Sequence, residues 1–260
     1  MRFSISEIAE ATSARIVVDG RPEAEATSIT WDSRMAVEGA LYVAIEGERV
    51  DGHAFARAAI CAGACCVLAT HALPDEAISF ARERGAAILE VEDAQGAVTD
   101  LARVWRGRIR GRVVGLTGSN GKTTTKNLVR DVLSRAGSVT ATRGNQNNEL
   151  GVPNTLLAAD ADTRNVVVEM GMRGRGQIES LCTFVRPDWG IVTQVGESHI
   201  ELLGSRENIA RAKSELIAAL PSGGIAFLNG ACDMSDFVWD ISCGAERGVS
   251  AVCFDGSGDY

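Results

Sequence analysis

From residue 40 onward the apolar positions switch repeatedly between two spacings. Ala40-Leu41-Tyr42-Val43-Ala44-Ile45 is an unbroken apolar run of the length expected for a strand buried on both faces. A helix is expected from about His53 to Ala62, stopped by Gly63, and Cys65-Cys66-Val67-Leu68-Ala69 reads as the next strand. Ile78 to Arg84, Gly85 and Ala87 to Val91 repeat the unit, which makes a small α/β domain. Val98, Leu101 and Trp105 then share one helical face. Arginines 103, 106, 108, 110 and 112 follow, a pattern expected of a solvated helix face and linker, and the domain boundary is set near residue 109, giving regions 1–108 and 109–260.

The second region opens with a strand at Val113-Val114-Gly115-Leu116-Thr117. A glycine-rich loop comes next, and Leu128, Val129, Val132, Leu133 and Ala136 mark a helix that ends at Gly137. Val166-Val167-Val168 and Gly190-Ile191-Val192-Thr193 read as further strands of a mostly parallel sheet. The expected fold class is therefore α/β: a small N-terminal α/β domain followed by a P-loop, mostly parallel α/β domain of the ATPase type. The longest apolar run, Ala58 to Ala69, is too short to cross a bilayer and is interrupted by Gly63.

Charge narrows the partners. A formal charge of −8 and a pI near 5.0 leave no basic face for nucleic acid or an anionic membrane, so an anionic ligand must be held locally. Met1-Arg2-Phe3-Ser4-Ile5-Ser6-Glu7 lacks the basic start and apolar core of a secretory signal, so a cytoplasmic location is expected. The seven cysteines form no C-x-x-C pair and are odd in number, and they are expected to be mostly reduced, small core residues. A monomer is expected.

The chemistry begins at Gly118-Ser119-Asn120-Gly121-Lys122-Thr123-Thr124, between strand and helix. Its glycines let backbone N–H groups turn inward while the helix that follows offers its positive end to a phosphate. Lys122 would neutralise the β- and γ-phosphates of ATP, and the Thr123 hydroxyl would reach Mg²⁺. The strict G-x-x-x-x-G-K-[ST] spacing fails, because Leu116 stands five residues before Gly121. Glu169 ends an apolar strand, where a carboxylate serves little structural purpose unless it reaches a metal or a solvated crevice. Such a set suits phosphoryl transfer, because that chemistry needs charge screening more than it needs a side-chain nucleophile. Asn145, Asn147 and Asn148 offer uncharged donors and acceptors, which suit a sugar, a peptide or an ordered loop equally well.

Read together, Gly115-Leu116-Thr117-Gly118-Ser119-Asn120-Gly121-Lys122-Thr123-Thr124 resembles the loop of the Mur ligase and folylpolyglutamate synthase superfamily. Thr142-Arg143-Gly144-Asn145-Gln146-Asn147-Asn148-Glu149-Leu150-Gly151-Val152-Pro153 and Val168-Glu169-Met170-Gly171 are similar to segments of the Mur ligases that join D-alanyl-D-alanine to a UDP-N-acetylmuramoyl tripeptide. Asp32-Ser33-Arg34 and Gly47-Glu48-Arg49-Val50-Asp51-Gly52-His53 resemble the segments with which such ligases hold a UDP-sugar peptide.

The resemblance implies a UDP-muramoyl-peptide site built on Ser33, Arg34, Asp51, Gly52 and His53, with Thr142, Asn145, Asn147 and Asn148 also on the substrate. It implies ATP and Mg²⁺ as cofactors, with Thr123, Glu169, His199 and Lys213 around the metal. His199 follows a strand in Thr193-Gln194-Val195-Gly196-Glu197-Ser198-His199, a segment in which Gln194 and Ser198 depart from the family pattern. Lys213 matches a lysine that is often carbamylated in the family, which would turn a cation into an anionic oxygen ligand. Asn229 matches an asparagine that contacts the nucleotide base, although Gly230-Ala231-Cys232-Asp233 departs from the family's continuation. The expected activity is ATP-dependent amide ligation through an acyl phosphate in peptidoglycan precursor synthesis. The chain reads as lacking the family's C-terminal amine-binding domain, so residues 1–260 alone are expected to ligate poorly. A sister ligase adding a diamino acid and a nucleotide-binding module without catalysis are the alternatives.

Overall fold

The computed structural model describes residues 1–47 and 50–255, so Glu48 and Arg49 of the Gly47–His53 segment lie outside the described residues. The chain divides into two compact units, Met1–Trp105 and Arg106–Tyr260.

The first unit opens with β1 (Phe3–Ser4) and α1 (Ile5–Thr12). Ser4 starts that helix with a reciprocal cap: its hydroxyl accepts from the Glu7 amide at 3.2 Å, and the Glu7 carboxylate accepts from the Ser4 amide at 2.8 Å. There follow β2 (Arg15–Val18), β3 (Glu25–Ala26), β4 (Ser28–Thr30), β5 (Ala40–Val43), α2 (Ala56–Cys61), β6 (Ala64–Ala69), α3 (Asp75–Arg84), β7 (Ala87–Glu90) and α4 (Ala94–Arg108). Five strands form a sheet in the order β2-β7-β6-β5-β4, parallel except for the β2–β7 pair. Leu41, Val43, Cys66 and Leu68 are fully buried, as an uninterrupted apolar strand requires. The helix expected over 53–62 starts later: Gly52–Phe55 is a 3-10 turn capped by Asp51, and α2 covers only its second half.

The second unit contains β8 (Arg112–Thr117), α5 (Lys122–Leu133), β9 (Val139–Ala141), α6 (Gly151–Leu157), β10 (Asn165–Glu169), α7 (Gln177–Val185), β11 (Trp189–Val192), α8 (Ile200–Leu203), α9 (Arg206–Ala218), β12 (Ile225–Asn229), α10 (Ser235–Ile241) and β13 (Ser250–Phe254). Six strands lie in the order β13-β12-β11-β8-β10-β9, and every pairing is parallel. The order reverses at β8. The chain passes to one side for β9 and β10 and to the other for β11, β12 and β13, leaving a crevice at the carboxyl ends of β8, β10 and β11 where parallel sheets bind ligands.

Three expectations are corrected. Of the apolar positions that marked α5, only Val129 and Leu133 pack on the sheet, whereas Leu128 and Val132 are 62% and 70% exposed. Arg106 is not solvated: it donates to the carbonyls of Val185 and Arg186 and pairs with Asp188 at 3.2 Å. The seven cysteines are all free thiols, but only Cys66 and Cys182 are buried. Among the described residues no helix is long and apolar enough to cross a membrane.

Candidate active site

The loop after β8 is shaped by β11. The Ser119 amide donates to the Gln194 carbonyl at 2.8 Å, the Thr193 hydroxyl donates to the Asn120 carbonyl at 2.6 Å, and the Gly196 amide donates to the Ser119 hydroxyl at 2.9 Å. Gly118 has φ +155° and lies so close to Thr193 that an added Cβ would meet its hydroxyl oxygen at 1.9 Å. Only glycine fits there. Gly121, at φ +79°, starts α5, and no side chain caps the amides of the first turn. Those amides and the helix dipole form an anion site.

A cavity of about 500 Å³ opens at this point, lined by Gly118, Ser119, Lys122, Asn147, Asn148, His199 and Lys213, with Gly171, Met172, Arg173 and Gln177 completing the wall. The Lys122 ammonium is folded back on its own loop, donating to the carbonyls of Gly118 at 2.7 Å and Ser119 at 3.1 Å. Burial lowers its pKa, and the neighbouring Glu169 charge opposes that shift. Lys213 is 2% exposed, and burial together with the charge of Lys122 brings it down to about 7. Two lysines sharing a cavity repel each other, and an anion between them relieves that repulsion. His199 enters α8 in the left-handed conformation, φ 64°, uncommon for a residue with a side chain.

Glu169, 1% exposed at the end of β10, is gripped from several elements. Its Oε1 accepts from Asn147 Nδ2 at 2.8 Å, the Thr123 hydroxyl lies 3.2 Å from Oε2, and the Lys126 ammonium lies 3.5 Å from Oε2. A buried carboxylate beside a hydroxyl at the mouth of a phosphate site is a hard-oxygen donor pair of the kind Mg²⁺ takes, so these residues fit that ion.

The remaining expected residues fall into distinct places. Thr123 and Thr124 occupy the first turn of α5, and the Asn120 carbonyl is taken by Thr193. Thr142 does not present itself to a ligand: it is 3% exposed, and its hydroxyl accepts the Glu169 amide at 2.9 Å. Asn148 lines the cavity with its Oδ1 accepting the Gly151 amide, and Asn145 is exposed with no side-chain bond among those described. Asn229 is committed at both ends, its Nδ2 donating to the Thr193 carbonyl at 2.9 Å and its Oδ1 accepting the Ala231 amide at 3.0 Å.

In the first unit, Ser33 begins a 3-10 turn capped by Asp32. Arg34 is exposed and forks onto Asp32 at 2.9 and 2.7 Å, which holds that carboxyl down at about 2. His53, read from sequence as a substrate contact, is 2% exposed and fully engaged: its Nε2 accepts the Thr70 amide at 2.9 Å, and its Nδ1 lies 2.6 Å from Asp51 Oδ1. Because a backbone N–H can only donate, the imidazole proton sits on Nδ1 and points to Asp51. Asp51, His53 and His71 bring ligand atoms within 4.8 Å of one another. His71, missed in the sequence, stacks on His53 at 3.7 Å and reaches Asp51 Oδ2 at 3.3 Å. Lys126 was missed as well. Its only signal was position: four residues beyond Lys122, it falls on the stripe that continues through Val129 and Leu133.

A parallel sheet with its phosphate loop at the switch point and a buried carboxylate opposite defines a nucleotide-binding α/β protein. The Mur ligase middle-domain model matches residues 116–252 and the Mur ligase catalytic-domain model matches residues 25–106, so the chain belongs to the Mur ligase family. It is similar to the UDP-N-acetylmuramoyl-tripeptide–D-alanyl-D-alanine ligase of Synechocystis, 46% identical over 202 residues that cover 78% of this chain and 43% of that protein. The crystal structure of MurF from Acinetobacter baumannii superposes with a TM-score of 0.83 at 30% identity, covering 100% of this chain and 55% of the other. MurF ligase from Thermotoga maritima in complex with ADP has a TM-score of 0.71 at 32% identity, covering 89% and 51%. The chain thus spans about half the length of the curated relatives it matches.

Proposed function

We propose that this chain is the acceptor- and ATP-binding part of a ligase that joins D-alanyl-D-alanine to UDP-N-acetylmuramoyl tripeptide in peptidoglycan precursor synthesis, working in the cytoplasm. The observation that carries the reading is the meeting of Lys122, Lys213 and His199 on one cavity, with the buried Glu169 carboxylate held by Asn147 of the same cavity wall. The names of the relatives support the substrates.

In this reaction the acceptor carboxylate attacks the γ-phosphate of ATP, ADP leaves, and the amine then displaces phosphate from the acyl phosphate with loss of its proton. Gly118, Asn120, Gly121, Thr123 and Thr124 hold the phosphate chain through loop and first-turn amides, with Ser119 fixing the loop through its bond to Gln194. Lys122 leaves its two carbonyl contacts to neutralise the β- and γ-phosphates. Thr123, Glu169, His199 and Lys213 would hold Mg²⁺, which would screen the charge between phosphate and carboxylate. Lys213, brought down to about 7, has a large fraction of neutral amine at physiological pH, the form that takes up CO₂. Its carbamate would supply the anionic oxygen an ammonium cannot. In the second unit Asn145 and Asn148 would offer polar contacts to an acceptor peptide while Asn147 holds Glu169; in the first unit Ser33, Arg34, Asp51 and Gly52 would hold a UDP-sugar, with His53 fixing Asp51.

The test is phosphate release by the full-length gene product with UDP-muramoyl tripeptide held constant and the amine varied. Release with D-alanyl-D-alanine and not with a diamino acid or glutamate is expected. Preference for a single diamino acid, or no acceptor-dependent release, would refute the proposal.

A further inference from the structure

We infer that Lys126 is a positioning residue of the metal-binding carboxylate, its ammonium tying the turn at Gly144–Asn148 to Glu169 and so fixing how Glu169 meets a divalent cation. The inference rests on the proposed Mg²⁺–nucleotide site and goes beyond it.

The position itself is the first argument. On an amphipathic helix the stripe through Lys126, Val129 and Leu133 faces the sheet, where packing calls for an apolar side chain. Lys126 is 2% exposed, and its partner Glu169 is 1% exposed. A buried ion pair is poor value for stability alone, since well-packed apolar residues of similar volume do as well or better. Its presence at this spot calls for a reason other than packing.

Geometry supplies one. Lys126 Nζ donates to the Gly144 carbonyl at 2.7 Å and stands 3.5 Å from Glu169 Oε2. Asn147, from the same turn, donates to Oε1 at 2.8 Å, and its own carbonyl accepts the Gly171 amide at 2.9 Å. The turn therefore holds one carboxylate oxygen through Asn147, while α5 holds the turn and the other oxygen through Lys126. Thr123, on the first turn of the same helix, approaches both oxygens at 3.4 and 3.2 Å. Lys126 is one helical turn behind Lys122, so the helix that receives the phosphates also carries the group that orients the metal's carboxylate. Gly144 is exposed with φ +54°, a sharp turn that Lys126 ties to the helix.

The experiment is calorimetric titration of ADP into the chain, first in EDTA and then over a series of Mg²⁺ concentrations, for wild type, Lys126→Met, Lys126→Arg, Glu169→Gln and the double variant Lys126→Met/Glu169→Gln. Lys126→Met is expected to keep ADP affinity in EDTA within about twofold while the Mg²⁺ needed for half of the metal-dependent gain rises by about 10–100-fold, the usual cost of losing an outer-shell partner. Lys126→Arg, which keeps the charge, should recover most of that loss. In the Glu169→Gln background, Lys126→Met should add less than about twofold, because it acts through Glu169. A purely structural lysine would instead weaken ADP binding in EDTA and with Mg²⁺ alike. An unchanged Mg²⁺ requirement in Lys126→Met, or an equal increment in the Glu169→Gln background, overturns the inference. Should Lys126→Met fail to fold, the double variant, in which both charges are removed together, carries the test: ADP binding equal to that of Glu169→Gln supports the inference and a further loss overturns it. A wild-type chain whose ADP binding ignores Mg²⁺ defeats the functional proposal itself, and this inference with it.

Discussion

Lys213 is an ammonium-bearing side chain with almost no solvent contact, and its titration makes its own contribution to stability depend on pH. Between about 7, its value in the folded chain, and 10.5, its ordinary value, the unfolded chain binds a proton that the folded chain does not. The contribution of Lys213 to stability therefore rises with pH across that window, and the full cost of the buried charge is felt at and below its lower edge. Lys213→Met removes this dependence. Its melting temperature relative to wild type should be most favourable near pH 6.5 in bicarbonate-free buffer, and the difference should shrink steadily towards pH 10. A constant difference would contradict the assignment. The carbamate has its own readout: with ¹³C-bicarbonate, a carbamate carbon resonance is expected in wild type and should vanish in Lys213→Ala. The lysine was visible in the sequence only through family likeness, because a helical lysine is ordinarily solvated and nothing in its neighbours announces burial. Lys126 was hidden for the same reason, and His53 misled in the opposite direction. Family likeness read it as a substrate contact, whereas its Nε2 accepts the Thr70 amide.

At the scale of elements, the strand–loop–helix unit from β8 to α5 was legible because its signals are local: an apolar run, glycines and a helical period. What pins the loop was not legible, since Thr193, Gln194 and Gly196 lie more than 70 residues away in sequence. That pinning predicts a graded response. Gly118→Ala forces a Cβ against Thr193, whereas Gly174→Ala meets nothing within 4 Å. The first should weaken ADP binding by more than about tenfold, for a loop displaced from a preorganised anion site, and the second should leave it unchanged. Thr193→Val, which removes a 2.6 Å hydrogen bond to Asn120, should cost about 1 kcal/mol of stability in chemical denaturation. The exposed face of α5 was misjudged because Leu128 and Val132 have the helical spacing of core residues, and periodicity alone does not say which of two apolar stripes meets the sheet.

Over the whole molecule, the parallel sheet and its two α/β regions followed from buried apolar runs alternating with helical ones, which is why fold class was readable without any long-range information. The antiparallel β2–β7 pair was not, because pairing direction depends on chain path rather than on composition. Each unit has its own sheet and two of the four tryptophans, Trp31 and Trp105 in the first, Trp189 and Trp239 in the second. Ligand bound to one unit stabilises that unit by mass action, about 2.7 kcal/mol at a hundred times Kd. Saturating Mg²⁺-ADP should accordingly delay unfolding reported by Trp189 and Trp239 and leave the Trp31 and Trp105 transition in place. The central claim is that Lys122 and the uncapped start of α5 hold nucleotide phosphates. Equilibrium titration of Mg²⁺-ADP into wild type and Lys122→Met tests it most directly. One saturable site in wild type, weakened more than about tenfold in the variant, is the predicted result; no binding by wild type, or equal binding by both, would contradict it.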